Sequence, residues 1–289
     1  MIEQRSFTNC GLGFNLLIGG AAGAIAKATT TINERITTFG ISHFFTHASE
    51  EGSITFWREN LRSAARHAPF SALTFTLNEQ YYRLLKTPAI KSGMPWNVVD
   101  NVIAGSAAGV TTLLLEYPFE CTRIQLISSA LKRQAFGYRK KLQFCMRTLK
   151  AQGFSGLYQG FGIAIRRVAL YRGIYFGGYN AHRNSVFDTN AHPVAKLLVA
   201  SLISSFAFLT TYPSEFLGRT LFPFSKSAKT PFKGVIRSFL EMLSKEGFQN
   251  LFKRSDFTDI MARHVITASL AMVLYSEFHL MVKEKNKVY

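Results

Sequence analysis

Acid and cysteine are both scarce in this chain of 289 residues, and each shortage removes a class of function. Only 17 Asp and Glu stand against 34 Lys and Arg, which leaves a formal net charge of +17 at pH 7. The bases run along the whole chain instead of forming a tail. Such an excess favours anionic partners: nucleic acid, acidic lipid or small anions. The three cysteines, Cys10, Cys121 and Cys145, are widely separated with no CxxC spacing, which argues against a disulfide scaffold and a zinc finger. His43 and His47 stand at i, i+4 but have no third ligand, so neither a metal site nor a cofactor is expected. There is no Walker-type glycine loop and no nucleophile elbow, and the sequence reads as a non-enzyme. The opening MIEQRSFTNC has neither the apolar core of a signal peptide nor the arginines of a transit peptide. An uninterrupted transmembrane run of about 20 apolar residues is missing as well.

What the chain does contain is a set of shorter uncharged runs rich in Gly, Ala, Ser and Thr. Asn101 to Leu115 is one, and Leu197 to Ser214 is another. Each ends in a tyrosine, a proline and an acid: YPFECTRIQL from Tyr117 and YPSEFLGRTL from Tyr212. Thirteen residues before Pro118 lies Gly105, in Gly105-xxx-Gly109, and thirteen before Pro213 lies Ala200, in Ala200-xxx-Ser204. An earlier copy, Gly19-xxx-Gly23, is followed at the same distance by Ile32, in TINER. Small residues at i and i+4 let membrane helices approach closely.

A second landmark has the same period. Gly52, Gly153 and Gly247 are separated by 101 and 94 residues, and each is followed five residues later by an aromatic: Trp57, Tyr158 and Phe252. Between proline and glycine lie amphipathic segments, with Leu142, Cys145, Met146 and Leu149 on one face and Val235, Ile236, Phe239, Leu240 and Leu243 on its copy. Their spacing predicts short surface helices with Lys or Arg opposite. After the aromatic comes a further apolar helix, over 68–78, 168–178 and 265–275. The expected fold class is therefore an all-α membrane protein with six transmembrane helices. They form three pseudo-repeats around a central cavity, with short surface helices, bounded at residues 1–95, 96–190 and 191–289.

These features resemble the mitochondrial carrier family, whose motif P-x-(D/E)-x-x-(K/R) is matched in full by YPFECTR. The resemblance covers about residues 12 to 283. FWRENLRSAARHAPFSALTF, GLYQGF and LYRGIYFGGY, with NLLIGGAAGAIAKATTTINER, look like helices of the ADP/ATP carriers, of which this chain reads as a degenerate member. The resemblance implies a multi-pass protein of the mitochondrial inner membrane with both termini in the intermembrane space. It also implies a matrix-side gate of three acids and three bases. The acids stand here as Glu34, Glu120 and Glu215, but of the bases only Arg123 survives; Thr37 and Gly218 replace the others. Arg35 and Arg219 are neighbouring substitutes, each turned about 100° round its helix.

The resemblance places a phosphate- and base-binding cavity at Lys27, Arg66, Tyr171 and Arg263. Arg167 stands where those carriers have a glycine against which adenine packs, so it either fills the slot or stacks on a base. Lys27, Arg66 and Arg167 are equally accounted for as inherited bases in a water-filled cavity, and Tyr171 as an interhelix packing residue. Backbone amides near Gly137, Gly153, Gly234 and Gly247 are where cardiolipin phosphates are expected. GRTLFP, from Gly218 to Pro223, replaces the RRRMMM of the ADP/ATP carriers. The first interval, Ile32 to Gly52, is 20 residues against 35 and 34 in the other repeats. On the opposite face the (F/Y)-(D/E)-x-x-(R/K) pattern is blurred: Tyr179 and Arg183 remain around Asn180, and Glu79 stands with a displaced Arg83. Two functional expectations follow. The first is a former ADP/ATP carrier kept as a structural or assembly subunit of a larger inner-membrane complex, such as a respiratory complex or ATP synthase. The second is a working exchanger of ADP/ATP or another anion. Nucleic acid is not expected as a partner, because the bases are interleaved with apolar helices instead of gathered on one face.

Overall fold

The computed structural model describes residues 12–39, 53–91, 98–128, 160–187, 191–221 and 256–285, with short pieces between 146 and 158. Every regular element among the described residues is helical. There are α1 (Leu12–Phe39), α2 (Ser53–Lys91), α3 (Val98–Ser128), α4 (Phe161–His182), α5 (Pro193–Leu221) and α6 (Asp256–Lys285), and α4 is continued by a π turn, Arg183–Phe187. Of the expected surface helices, only helical fragments at 146–147, 149–150, 153–154 and 156–157 are described. The segment of the third surface helix and the pair His43 and His47 lie outside the described residues.

Four helices are long and apolar enough to cross a membrane: α1 over Leu12–Ile32, α3 over Val98–Cys121, α5 over Pro193–Glu215 and α6 over Phe257–Val282. Two of the six helices, α2 and α4, are too polar to qualify by composition. Glu79 of α2 and Arg183, just past α4, are buried against each other. Pro118 and Pro213 sit inside α3 and α5, which run on past them.

The helices form a closed ring. Each packs on its neighbours in sequence, and α6 packs back on α1. Contact is most extensive between α1 and α2 and between α3 and α4, where the small residues lie. Gly19 faces Ala72 and Phe75, and Ser71 donates a 3.0 Å hydrogen bond to the Gly19 carbonyl. The second pair repeats the device, with Ser106 donating to the Ala169 carbonyl at 2.9 Å. Gly23 lies against Ser71, and Gly109 against Arg172 and Val168. Between α5 and α6 the joint is aromatic instead: Tyr212 meets Phe257 edge-on at 4.7 Å, and Phe208 lies 6.1 Å from Phe257.

The interior of the ring is bridged by helices that are not neighbours. Phe75 of α2 stacks on Tyr275 of α6 at 4.4 Å and meets Phe176 of α4 edge-on at 5.4 Å. Tyr179 of α4 closes the third side against Tyr275 at 6.3 Å. Tyr175 adds a hydrogen bond across the same space, donating to the Ala268 carbonyl at 2.8 Å. The main hydrophobic core is thus gathered at the centre of the ring, with side chains from α1, α2, α4, α5 and α6.

A Cβ at Gly105 would stand 2.7 Å from both the Arg172 carbonyl oxygen and the Phe176 Cβ, whereas one at Gly162 meets nothing within 4 Å. Gly105→Ala is therefore expected to destabilise by about 1–3 kcal/mol through overpacking. Gly162→Ala is expected to be neutral or to stabilise by about 0.5 kcal/mol, through helix propensity. Thermal unfolding of the two detergent-solubilised variants distinguishes them.

Candidate functional site

The N-terminal ends of α1, α3 and α5 and the C-terminal ends of α2, α4 and α6 lie at one end of the ring. The other is here called the proline end, after Pro118 and Pro213. Just beyond the aromatic bridge, on the side away from the prolines, polar groups meet between α2 and α4. The Arg183 Nη1 donates to Glu79 Oε2 at 2.6 Å, with both side chains no more than 5% exposed. Arg83, one helical turn along α2, donates from Nε to Glu79 Oε1 at 2.8 Å. The amides of Asn78 and Asn180 bond each other reciprocally, at 3.3 and 3.5 Å. Arg183 stands at the junction of α4 and the π turn, with its guanidinium carbon 5.5 Å from the centre of the Tyr82 ring. Between α5 and α6, the Lys196 Nζ donates to Glu277 Oε1 at 2.8 Å, and Lys196 is itself only 1% exposed.

Buried charges of this kind are costly to desolvate, and each carboxylate here recovers that cost through a close cation. The second carboxylate oxygen of Glu79 is also occupied, so that neither lone-pair site faces the apolar core alone. Together with the aromatic bridge, this network closes one end of the ring.

The proline end is more cationic. Arg66 is exposed, with its Nε turned back to the Arg62 carbonyl at 3.2 Å. Lys27 on α1 and Arg172 on α4 both act electrostatically on His67 of α2, although α1 and α4 are opposite one another in the ring. Glu116 on α3 is likewise within reach of Arg172, Glu120 and Arg167. Glu215 of α5 is buried, and its Oε1 lies 3.7 Å from Arg167 Nη1 on α4 and 3.6 Å from His264 Nε2 on α6. Tyr171 stacks on Tyr175 at 5.9 Å and presents an edge contact to His264 at 6.4 Å. Arg263, on α6, has a buried Nε with no hydrogen-bond partner.

The residues singled out from sequence are distributed as follows. Arg167, Tyr171 and Glu215 come together, and His264 joins them. Lys27, Arg66 and Arg263 lie on α1, α2 and α6. Glu120 is half-buried on α3. Glu34, Arg35, Arg123 and Arg219 sit on described helices, but their side chains lie outside the described residues. Gly153 is exposed and adopts φ +65°, while Gly137, Gly234 and Gly247 lie outside the described residues. Gly19, Gly23, Gly105 and Gly109 all stand at helix contacts. Sequence reasoning left Lys196, Glu277, Asn78 and His264 out of its site. A signal existed for Lys196, a lone base just before a run of 18 uncharged residues.

Removing one partner of a buried pair leaves the other charge uncompensated. Glu79→Gln is expected to destabilise by about 3 kcal/mol or more. Glu277 pairs with one cation where Glu79 pairs with two, so Glu277→Gln is expected to cost less. The order of the two melting temperatures in detergent checks this.

Comparison with known proteins agrees with this architecture. Residues 95–190 match the family model described as mitochondrial carrier protein. ADP/ATP translocase 4 of Homo sapiens is 27% identical over 296 residues, covering 95% of this chain and 93% of the relative. ADP/ATP translocase 3 of Bos taurus is 28% identical over 233 residues, covering 79% of this chain and 77% of its own length. The ADP,ATP carrier protein ER-ANT1 of Arabidopsis thaliana is 29% identical over 263 residues, with 83% and 86% covered. A closed ring of helices, small-residue joints at repeating positions and a likeness that runs through nearly the whole chain make this protein similar to the mitochondrial carriers and ADP/ATP-carrier-like in sequence.

Proposed function

We propose that this chain carries an anion, an adenine nucleotide or a smaller relative, across the mitochondrial inner membrane, and that its exchange is slow. The observation that supports this reading is the pairing of one end closed by buried ion pairs with a proline end rich in partly exposed cations. An apolar plug would seal a ring at least as stably as Glu79 with Arg183, since replacing a buried ion pair by well-packed apolar groups is often neutral or stabilising. Ion pairs have the further property that they part and re-form when water and charge reach them, which a transport cycle requires. The proline end faces the matrix in this reading, and the cationic interior draws anions from it. Cardiolipin phosphate is proposed at the surface helices, Gly153 being the position described.

The slowness follows from the gate motif. Three acids meet one motif base, Arg123, because Thr37 and Gly218 stand at the other two positions. Closure at the proline end is then weaker than closure at the opposite end, and the ring rests in the form described here. Restoring the bases with Thr37→Lys and Gly218→Arg is expected to raise ADP/ATP exchange in liposomes by roughly fivefold, the effect of about 1 kcal/mol on a barrier. Unchanged or reduced exchange would count against a working gate.

A second reading, that the chain serves as a structural or assembly subunit of a larger inner-membrane complex, draws on the same losses together with GRTLFP and the short first interval. Native electrophoresis of gently solubilised membranes separates the two. The transporter reading expects a species near 32.4 kDa plus detergent and lipid. Stoichiometric co-migration with a respiratory complex or ATP synthase supports the structural one.

A further inference from the structure

Arg167 is one of the cations that an anion-binding cavity would be expected to use, yet its surroundings assign it another task. Its Nη1 lies 3.7 Å from Glu215 Oε1, and His264 Nε2 lies 3.6 Å from the same oxygen. One carboxylate on α5 therefore gathers a cation from α4 and a ring nitrogen from α6. Glu215 is only 6% exposed, whereas Arg167 and His264 are 36% and 42% exposed, so both partners reach inward from wetter positions to a buried acid. The neighbouring aromatics hold this corner in place. His264 lies 5.2 Å from Phe208 of α5 and edge-on to Tyr171 of α4, and Tyr171 packs against the Phe208 and Tyr212 cluster. Three helices thus share one junction, ionic at its centre and aromatic around it. In sequence, the motif base position one turn beyond Glu215 is Gly218, with Arg219 beside it.

We infer that Arg167 is a latch residue and not a substrate ligand: with His264 it holds Glu215 and ties α4, α5 and α6 together at the proline end. For its role in a cycle this rests on the transporter reading, in which Arg167 and His264 do the work of the base missing at Gly218. Two even-numbered helices supply what the odd-numbered helix has lost. The acid is neutralised where it is buried, and the guanidinium that neutralises it is withdrawn from any anion in the cavity.

The test has two readouts. A thermal double-mutant cycle on the purified, detergent-solubilised full chain uses Arg167→Gln, Glu215→Gln and the double variant. The latch expects the two single losses to be non-additive by about 2 °C or more, the double variant melting above the sum of the singles. Additive shifts overturn it. In liposomes with labelled ADP, Arg167→Glu and Glu215→Arg are each expected to lower exchange about tenfold. The swapped pair, carrying both changes, is expected to return to within about threefold of the unaltered protein, since like charges are replaced by opposite ones. A swap no better than either single change overturns the latch, as does faster ADP exchange by Arg167→Gln with additive melting. If the unaltered protein moves no ADP, the transporter reading fails while the melting cycle still decides the latch.

Discussion

The closure of the ring depends on one pair, Glu79 with Arg183. A carboxylate and a guanidinium at 2.6 Å, both nearly out of contact with water, tie α2 to α4 across the interior. Neither helix is apolar enough to enter a membrane by composition. Where their chain is most buried, at Glu79 and at Arg183 just past α4, the two charges are matched in one interhelix bond. Arg83 saturates the second oxygen of the acid, and Asn78 with Asn180 extends the contact without adding charge. Remove the pair and two of the six helices lose their reason for being inside.

The opposite end is organised differently. There the acids that face described cations on other helices are Glu116 of α3 and Glu215 of α5, and those cations come from α4 and α6. Glu215 is the one acid among the described residues that is both buried and paired across helices at that end. The contrast between a tight, fully desolvated pair at one end and a looser, partly hydrated junction at the other gives the ring a direction. It closes firmly on one side and presents cations on the other.

Much of the fold was legible because its signals are periodic. Small residues recur thirteen positions before Ile32, Pro118 and Pro213, and Gly19, Gly23, Gly105 and Gly109 lie against neighbouring helices. The proline-acid elements fall inside long helices, as a helix of membrane length requires. The closed end was read less well. Its partners are 104 residues apart in one case and 81 in the other, and neither pairing has a local pattern. Glu277 stands one residue beyond the position that the (F/Y)-(D/E)-x-x-(R/K) pattern would give it, and Lys196 belongs to no motif at all. His264 was hidden for another reason. A histidine next to an arginine on an amphipathic helix carries no sign of the buried acid it meets on a different helix. Arg167 was recognised as out of place, but only the ring shows what it faces.

The aromatic bridge has a mechanical consequence. A closed ring held only by contacts between neighbours can flatten, because each joint rotates a little and the whole becomes an ellipse. Phe75 with Phe176, Phe75 with Tyr275 and Tyr179 with Tyr275 join α2, α4 and α6 pairwise, and three struts between three posts make a triangle. A triangle cannot change shape unless a side changes length. Lateral pressure from the bilayer therefore meets a cross-section fixed from within at that level, and α1, α3 and α5 lean on a frame that the other three helices provide.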